Sequence, residues 1–418
     1  VWDKNKDGCP ETRSVEVVVS EVYLKSEKHT YREIYEQARI CQVTFLRAEE
    51  RLQEFFKLLP LSAYTDIIFT GCGSSLHLGR CAASAWSELL DRPVWALPAS
   101  ELLYFAGTKL RREARPLVFA LSRTGGTTET VLAATHLREA YAAATVAVTT
   151  EPDSEMASLC DLELVFTECG ERSVVMTGSF TAILYGMLLL ADGITGEKYR
   201  DRLSEVPSLL TRALIGTERI CRQLAADRQF KRFVFLGSGP MIGLAHEAAL
   251  KLTEMALEPA SVYPTLEFRH GPIAALNSET LVTMMPVEVE MAYVPMLIDE
   301  VIETGAQVLV VNDEPLAIPG MQRDFQTGLP EIFRPVMFAH VGQLLAFWRA
   351  VECELNPDAP PHLRRTVTLG NQNVALGNQG DKSSSVRHQQ EPIAIAVDRH
   401  EKLSGNLIGS DGDQEIKS

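Results

Sequence analysis

Two stretches decide the fold: IIFTGCGSSLHLGRCAASAWSEL at residues 67–89 and FVFLGSGPMIGLAHEAALKLTEM at residues 233–255. Sliding the chain by 166 residues lays one over the other without a gap. Phe69 then falls on Phe235, Gly71 on Gly237, Gly73 on Gly239, Leu78 on Leu244, Ala82 on Ala248, Ala83 on Ala249 and Glu88 on Glu254. The same offset continues to Pro98 over Pro264 and Glu101 over Glu267. Each stretch reads as an apolar strand, a glycine turn and a helix. Units of that kind look alike in all doubly wound folds, but the likeness does not extend to prolines and glutamates beyond the motif. One α/β unit is present twice.

The flanking sequence keeps the same rhythm. Apolar runs at 67–71, 116–122, 144–150 and 162–168 alternate with helix-length segments. The pattern restarts at 233–237, 281–286 and 307–313 after a long polar helical stretch at about 198–228. This predicts an α/β protein with parallel sheets covered on both faces. The expected organisation is an extension of uncertain order at 1–30, a helical segment at 31–60, a first unit at 61–210 and a second at 211–369. The tail at 370–418 is rich in Asn, Gln, Ser, Asp and Gly, and is expected to be disordered because it has little apolar surface to offset its ordering entropy.

Composition narrows the function. The 418 residues are 46% hydrophobic and 23% charged, with a formal net charge of −15, which suits two ordinary domains and no basic nucleic-acid surface. The most apolar run, FTAILYGMLLLA at 180–191, is shorter than the ~20 residues that span a bilayer, and reads as a buried helix. Neither a nucleic-acid nor a membrane partner is expected. Eight cysteines without a CxxC pair suggest a reducing compartment, the cytoplasm. The nine histidines show no HxxxH or HxxH spacing, so no metal site has local support. The N-terminal residues lack the basic and apolar regions of a signal peptide.

The chemistry divides between the two units. In the first, GCGSS (71–75) follows a strand and opens a helix, whose N-terminus offers free N–H groups and the positive end of a dipole. Ser74 and Ser75 add hydroxyls. The next strand ends in SRTGGTTET (122–130), where Ser122, Thr124, Thr127 and Thr128 surround two glycines. Capping a helix takes one such residue. Four of them, at the carboxyl ends of parallel strands, form a many-donor cradle suited to a phosphate monoester. In the second unit the equivalent turns read GSGPM (237–241) and PVEVE (286–290), and that cradle is gone. Instead Glu247, Lys251 and Glu254 share one helix face at i, i+4 and i+7, and Glu267, Arg269 and His270 enter a His-Gly-Pro turn. A Glu–Lys stripe is usually a solvated face and a turn histidine usually structural. The division of labour between the units favours acid/base groups.

At these residues the chain resembles the double sugar-isomerase (SIS) domain family, over about residues 30–368. The motifs that carry the resemblance are GCGSS, SRTGGTTE, ERSVVMTGSFT (171–181), GLAHEAALKLTEM (243–255), LEFRHGP (266–272) and NPDAPPHLRRTVTL (356–369). It looks most like the subgroup called tagatose-6-phosphate ketose/aldose isomerase or galactosamine-6-phosphate deaminase. It also resembles the isomerase half of glucosamine-6-phosphate synthase, but no counterpart of that enzyme's glutaminase is expected, nor ammonia transfer from glutamine. The resemblance implies two tandem αβα sandwiches with mainly parallel, flavodoxin-like sheets, assembled into a homodimer or larger homo-oligomer. It implies phosphate contacts from Ser74, Ser75, Ser122, Arg123, Thr124 and Thr127, with Val174, Glu267 and Arg365 lining the sugar site. Glu254 would move a proton between C1 and C2 with help from Lys251. Glu247 would orient the site, and His270, from the neighbouring subunit in relatives, would open the sugar ring.

Two positions depart from the family pattern. Gly126 stands where a glutamate is frequent, and Arg365, with Arg364 beside it, stands where synthase-like relatives carry an imine-forming lysine. Arginine stays protonated at neutral pH and cannot form that imine. Simple enolisation remains, and it needs no metal or redox cofactor. The expected activity is isomerisation or deamination of an amino-sugar 6-phosphate such as galactosamine 6-phosphate. The alternatives are a non-catalytic sugar-phosphate-binding regulator and a deglycase of glycated amino-acid phosphates.

Overall fold

A computed structural model describes residues 27–369. The tail at 370–418 and all but residues 27–30 of the expected extension lie outside the described residues. Two five-stranded sheets form, and within each every neighbouring pair is parallel. The first holds β1 (Ile67–Gly71), β2 (Trp95–Pro98), β3 (Leu117–Leu121), β4 (Ala144–Thr149) and β5 (Leu162–Val165) in the order β2-β1-β3-β4-β5. The second holds β6 (Arg232–Gly237), β7 (Ala260–Tyr263), β8 (Thr280–Met285), β9 (Gln307–Asn312) and β10 (Met321–Asp324) in the order β7-β6-β8-β9-β10. The two orders are the same. Each is the flavodoxin-like arrangement, with its switch point beside the first strand of the unit.

The repeat reaches the backbone angles. Gly73 and Gly239 each stand just before a 17-residue helix, Ser74–Leu90 and Pro240–Ala256, with φ/ψ of 54°/−127° and 51°/−125°. A side chain is poorly tolerated at that positive φ, which explains the glycine in both copies. The two helices pack directly on each other. At their crossing, a Cβ on Gly243 would stand 2.6 Å from the carbonyl oxygen of His77 and 2.7 Å from Cys81 Sγ, so the approach requires glycine.

One buried apolar cluster runs through both units. Phe69 on β1 stacks on Phe119 of β3 at 4.7 Å, and Trp86 meets both rings edge-on. Such aromatic pairs each contribute about 0.5–1.5 kcal/mol beyond area burial. Trp86 Nε1 donates to the carbonyl of Met187 at 2.9 Å, tying the first glycine-turn helix to Gly178–Ile194. That helix holds the apolar run of 180–191, and it is buried through Asp192. The boundary expected between residues 210 and 211 falls inside one continuous helix, Val206–Ala226.

Edge strands β2, β7 and β10 lie outside the apolar runs that marked the other strands. Each has four residues, none of them fully buried, so none requires a continuous apolar run. No described helix is long and apolar enough to cross a membrane.

Candidate active site

The carboxyl ends of β1 and β3 open onto a cleft of about 240 Å³. Its floor is the GCGSS turn and its near wall is the 122–127 turn. Ser122 Oγ lies 3.0 Å from Thr127 Oγ1 and accepts from the Gly125 N–H at 3.1 Å. Thr127 is the N-cap of the helix Thr128–Tyr141, yet its side chain makes no capping bond. The hydroxyls therefore serve the turn and the cleft rather than helix capping.

The second unit supplies the opposite wall through Glu254, whose side chain is 19% exposed. Behind it Lys251 is fully buried, its Nζ bonded to Glu254 Oε2 and 3.4 Å from Glu247 Oε1. Burial alone would lower the Lys251 pKa, but Glu247 and Glu254 outweigh it and hold the ammonium charged, above its ordinary range. Burial pushes the Glu247 carboxyl up to about 7; Lys251 opposes the rise and Glu254 adds to it. The arrangement is one ammonium between two carboxylates, only one of which reaches the cleft.

A buried network fixes the third side. Arg123 lines the cleft, but its guanidinium is turned into the protein. It meets Glu171 Oε2 at 3.1 Å and donates to the carbonyls of Ser173, Val174 and Val175. In this arrangement the side chain shapes the loop that carries Val174. Glu171 in turn accepts from the Thr177 and Ser179 N–H groups at 2.8 and 2.9 Å, at the N-terminus of Gly178–Ile194. Burial would raise the Glu171 pKa, but Arg123 and the Ser179 and Thr177 donors more than offset it and keep the carboxyl below its usual range.

Both ends of the described chain close on this loop. Glu33, on the helix His29–Leu46, accepts from the Ser173 N–H at 3.2 Å. Asp358 accepts from the Thr30 N–H and Oγ1, both at 2.8 Å, while its carbonyl takes the Val174 N–H at 3.1 Å. Beyond it the chain crosses the cleft as a strap. Arg365 donates to the Glu171 carbonyl at 2.6 Å and to Glu151 at 3.1 Å, and Thr366 bonds Thr124 at 3.0 Å.

Of the residues expected at the site, Ser74, Ser75, Ser122, Arg123, Thr124, Thr127, Val174, Glu254 and Arg365 line this one cleft. Lys251 and Glu247 lie buried behind Glu254. Glu267 and His270 are not brought there. They are exposed beyond edge strand β7, on a turn whose Arg269 pairs with Glu300 at 2.7 Å. Sequence reasoning missed Glu171, Glu33 and Asp358 as organisers. Glu171 stood inside a quoted motif, but its partner Arg123 is 48 residues away and nothing local marks the pair. Glu129 also lines the cleft, with one buried carboxylate oxygen that has no hydrogen bond.

This fold and cleft define a sugar-isomerase-type α/β protein with two similar units and a hydroxyl-lined cleft. The SIS domain family matches residues 61–191. The crystal structure of glucosamine-6-phosphate deaminase from Thermotoga maritima is 31% identical, with a TM-score of 0.67 over 82% of this chain and 100% of that one. The chain belongs to the SIS domain family. Tagatose-6-phosphate ketose/aldose isomerase from Escherichia coli shares the fold at a TM-score of 0.71 and 22% identity, over 80% of this chain and 95% of that one. Glutamine–fructose-6-phosphate aminotransferase (isomerizing) from Chlamydia abortus is 29% identical over 361 residues, or 81% of this chain. The chain spans 58% of the length of that relative.

Proposed function

We propose that this protein is a sugar-phosphate isomerase that deaminates an amino-sugar 6-phosphate, releasing ammonia and a ketose 6-phosphate. The observation that carries the reading is the meeting, in one cleft, of the hydroxyl cradle of the first unit and Glu254 of the second. The relatives named for phosphorylated sugars and amino sugars support the same substrate class.

The chemistry follows from the groups present. The cradle holds the phosphate and so fixes the far end of the open-chain sugar. Glu254 takes the proton from C2 of the aldosamine, giving an enamine-type intermediate, and returns it to C1. The product is an imine at C2. Water adds to that carbon, the C–N bond breaks, and ammonia leaves with the balancing proton. A single carboxylate serves both proton transfers, and positioned acid–base groups of this kind contribute about 10²–10⁴-fold. Lys251 holds Glu254 in place from behind. In this reading His270 opens the ring from a neighbouring subunit, because its own turn is exposed away from the cleft.

The test is proton NMR of galactosamine 6-phosphate and glucosamine 6-phosphate with the protein in D2O, with ammonia assayed in parallel. Deuterium at the enolisable carbon together with ammonia release is expected. Saturable binding of either sugar without exchange or ammonia would overturn the reading in favour of a sugar-phosphate-binding regulator.

A further inference from the structure

A phosphate monoester brings a charge of roughly −1.5 to −2 at neutral pH, here into a protein whose own formal charge is −15. The cradle that would receive it offers hydroxyls and the N–H groups of a helix N-terminus, but no formal positive charge. Glu129 adds a carboxylate to the same cleft, with one oxygen buried and unbonded. A cation at the cleft would offset that charge, and three candidates are engaged elsewhere. Arg123 is held by Glu171 and backbone carbonyls, Arg365 by the Glu171 carbonyl and Glu151, and Lys251 by its two carboxylates.

Arg364 differs from all three. It lines the cleft, is exposed, and makes no hydrogen bond or ion pair among the described residues. The residues after it are pinned over the cradle. Thr366 bonds Thr124 at 3.0 Å, the Val367 carbonyl accepts from the Thr128 N–H at 3.4 Å, and the Leu369 N–H donates to Thr128 Oγ1 at 3.2 Å. The strap thus holds the backbone of Arg364 at the cleft while leaving its guanidinium free. A guanidinium offers a planar fork of donors matched to two phosphate oxygens.

We infer that Arg364 is the cation that pairs with the substrate phosphate, delivered from the strap rather than from either glycine turn. The inference rests on the sugar-phosphate reading above and adds to it a binding residue outside the cradle. It does not depend on turnover.

The test is calorimetric titration of inorganic phosphate and of glucosamine 6-phosphate into the full chain and into Arg364→Gln, Arg364→Ala and Arg364→Lys. Loss of a charge-assisted contact should weaken both ligands about tenfold or more in the Gln and Ala variants. The Lys variant should fall between them and the wild type. Added salt should narrow the gap, since the wild type alone has this charge pair to lose. Arg364 has no partner among the described residues, so the melting temperature without ligand should not move, which shows that the variants are folded. Binding of both ligands within twofold of wild type in the Gln and Ala variants would overturn the inference. So would weakening of the sugar phosphate alone, because the cation would then read another part of the ligand. If the wild-type protein binds neither ligand, the phosphate cradle itself fails, and the inference fails with it.

Discussion

The two units share a strand order and a glycine turn but differ in what they build upon them. In the first, the helix opens with Ser74 and Ser75, and the turn after β3 is a ring of hydroxyls. In the second, Pro240 opens the helix, so one of the N–H groups that could face an anion is missing. The strand ends around it are acidic. Glu288 follows β8 and Asp313 follows β9, and Arg334 contacts them at 2.7 and 3.9 Å. Asp313 is further occupied by the Thr327 and Gly328 N–H groups, each at 2.9 Å. The reverse asymmetry holds along the helices. Glu247 and Lys251 correspond by the 166-residue offset to Cys81 and Ala85, both fully buried and unable to carry charge at that interface. The two units are similar frames, and the cleft is lined by one end of each.

The comparison can be tested by breaking it, beginning with the largest expected effect. Glu254→Gln should lower kcat by about 10²–10⁴-fold while leaving phosphate affinity within about threefold, read by steady-state kinetics and calorimetry. Comparable turnover in that variant would remove the second unit from proton transfer. Glu171→Ala leaves the Arg123 guanidinium buried without its counter-charge, and should cost about 3–5 kcal/mol in denaturant unfolding. If phosphate recognition belongs to the first unit, Ser122→Ala with Thr127→Val should weaken inorganic phosphate by about tenfold, at about 0.5–1.5 kcal/mol per hydroxyl. Pro240→Ser should add no second phosphate site, because Glu288 and Asp313 stay in place; calorimetry should still give one phosphate per chain.

The smallest effect lies in pH dependence. Below about pH 7 Glu247 is protonated and Lys251 is left to Glu254; above it, the ionised Glu247 competes for the ammonium and frees Glu254 as a base. The kcat/KM profile should therefore rise through about pH 7, and Glu247→Gln should remove that limb. The same group has a stability signature. Its folded pKa lies above the ordinary 4.5, so the folded protein retains a proton that the unfolded chain releases. Stability from this group is fully present below about pH 4.5 and declines as pH rises towards 7. The Gln variant should flatten that slope in urea unfolding.

Much of this was legible in the sequence because it is local. A strand followed by a glycine turn and a helix is written within about twenty residues, and so are the hydroxyls at 122–128 and the helix face of Glu247, Lys251 and Glu254. Other parts depend on segments that meet only in the fold. That the Arg123 guanidinium pairs with Glu171 is something no spacing reveals. The edge strands WALP, ASVY and MQRD are short and only partly buried, and they form through backbone pairing to neighbours rather than through an apolar pattern of their own. Glu267 and His270 stand in a motif whose wording points to the site, while their turn faces solvent.

The clasp between Thr30 and Asp358 joins positions 328 residues apart. Chains are made from the amino end at about 5–20 residues per second, and contacts this distant in sequence are slow to form. Both sheets can be complete while the chain is still being made, yet the loop carrying Val174 gains its last anchor, and the cleft its strap, only after the residues past 358 have emerged. A growing chain therefore passes through a state with both sheets built and the cleft not yet crossed by its strap.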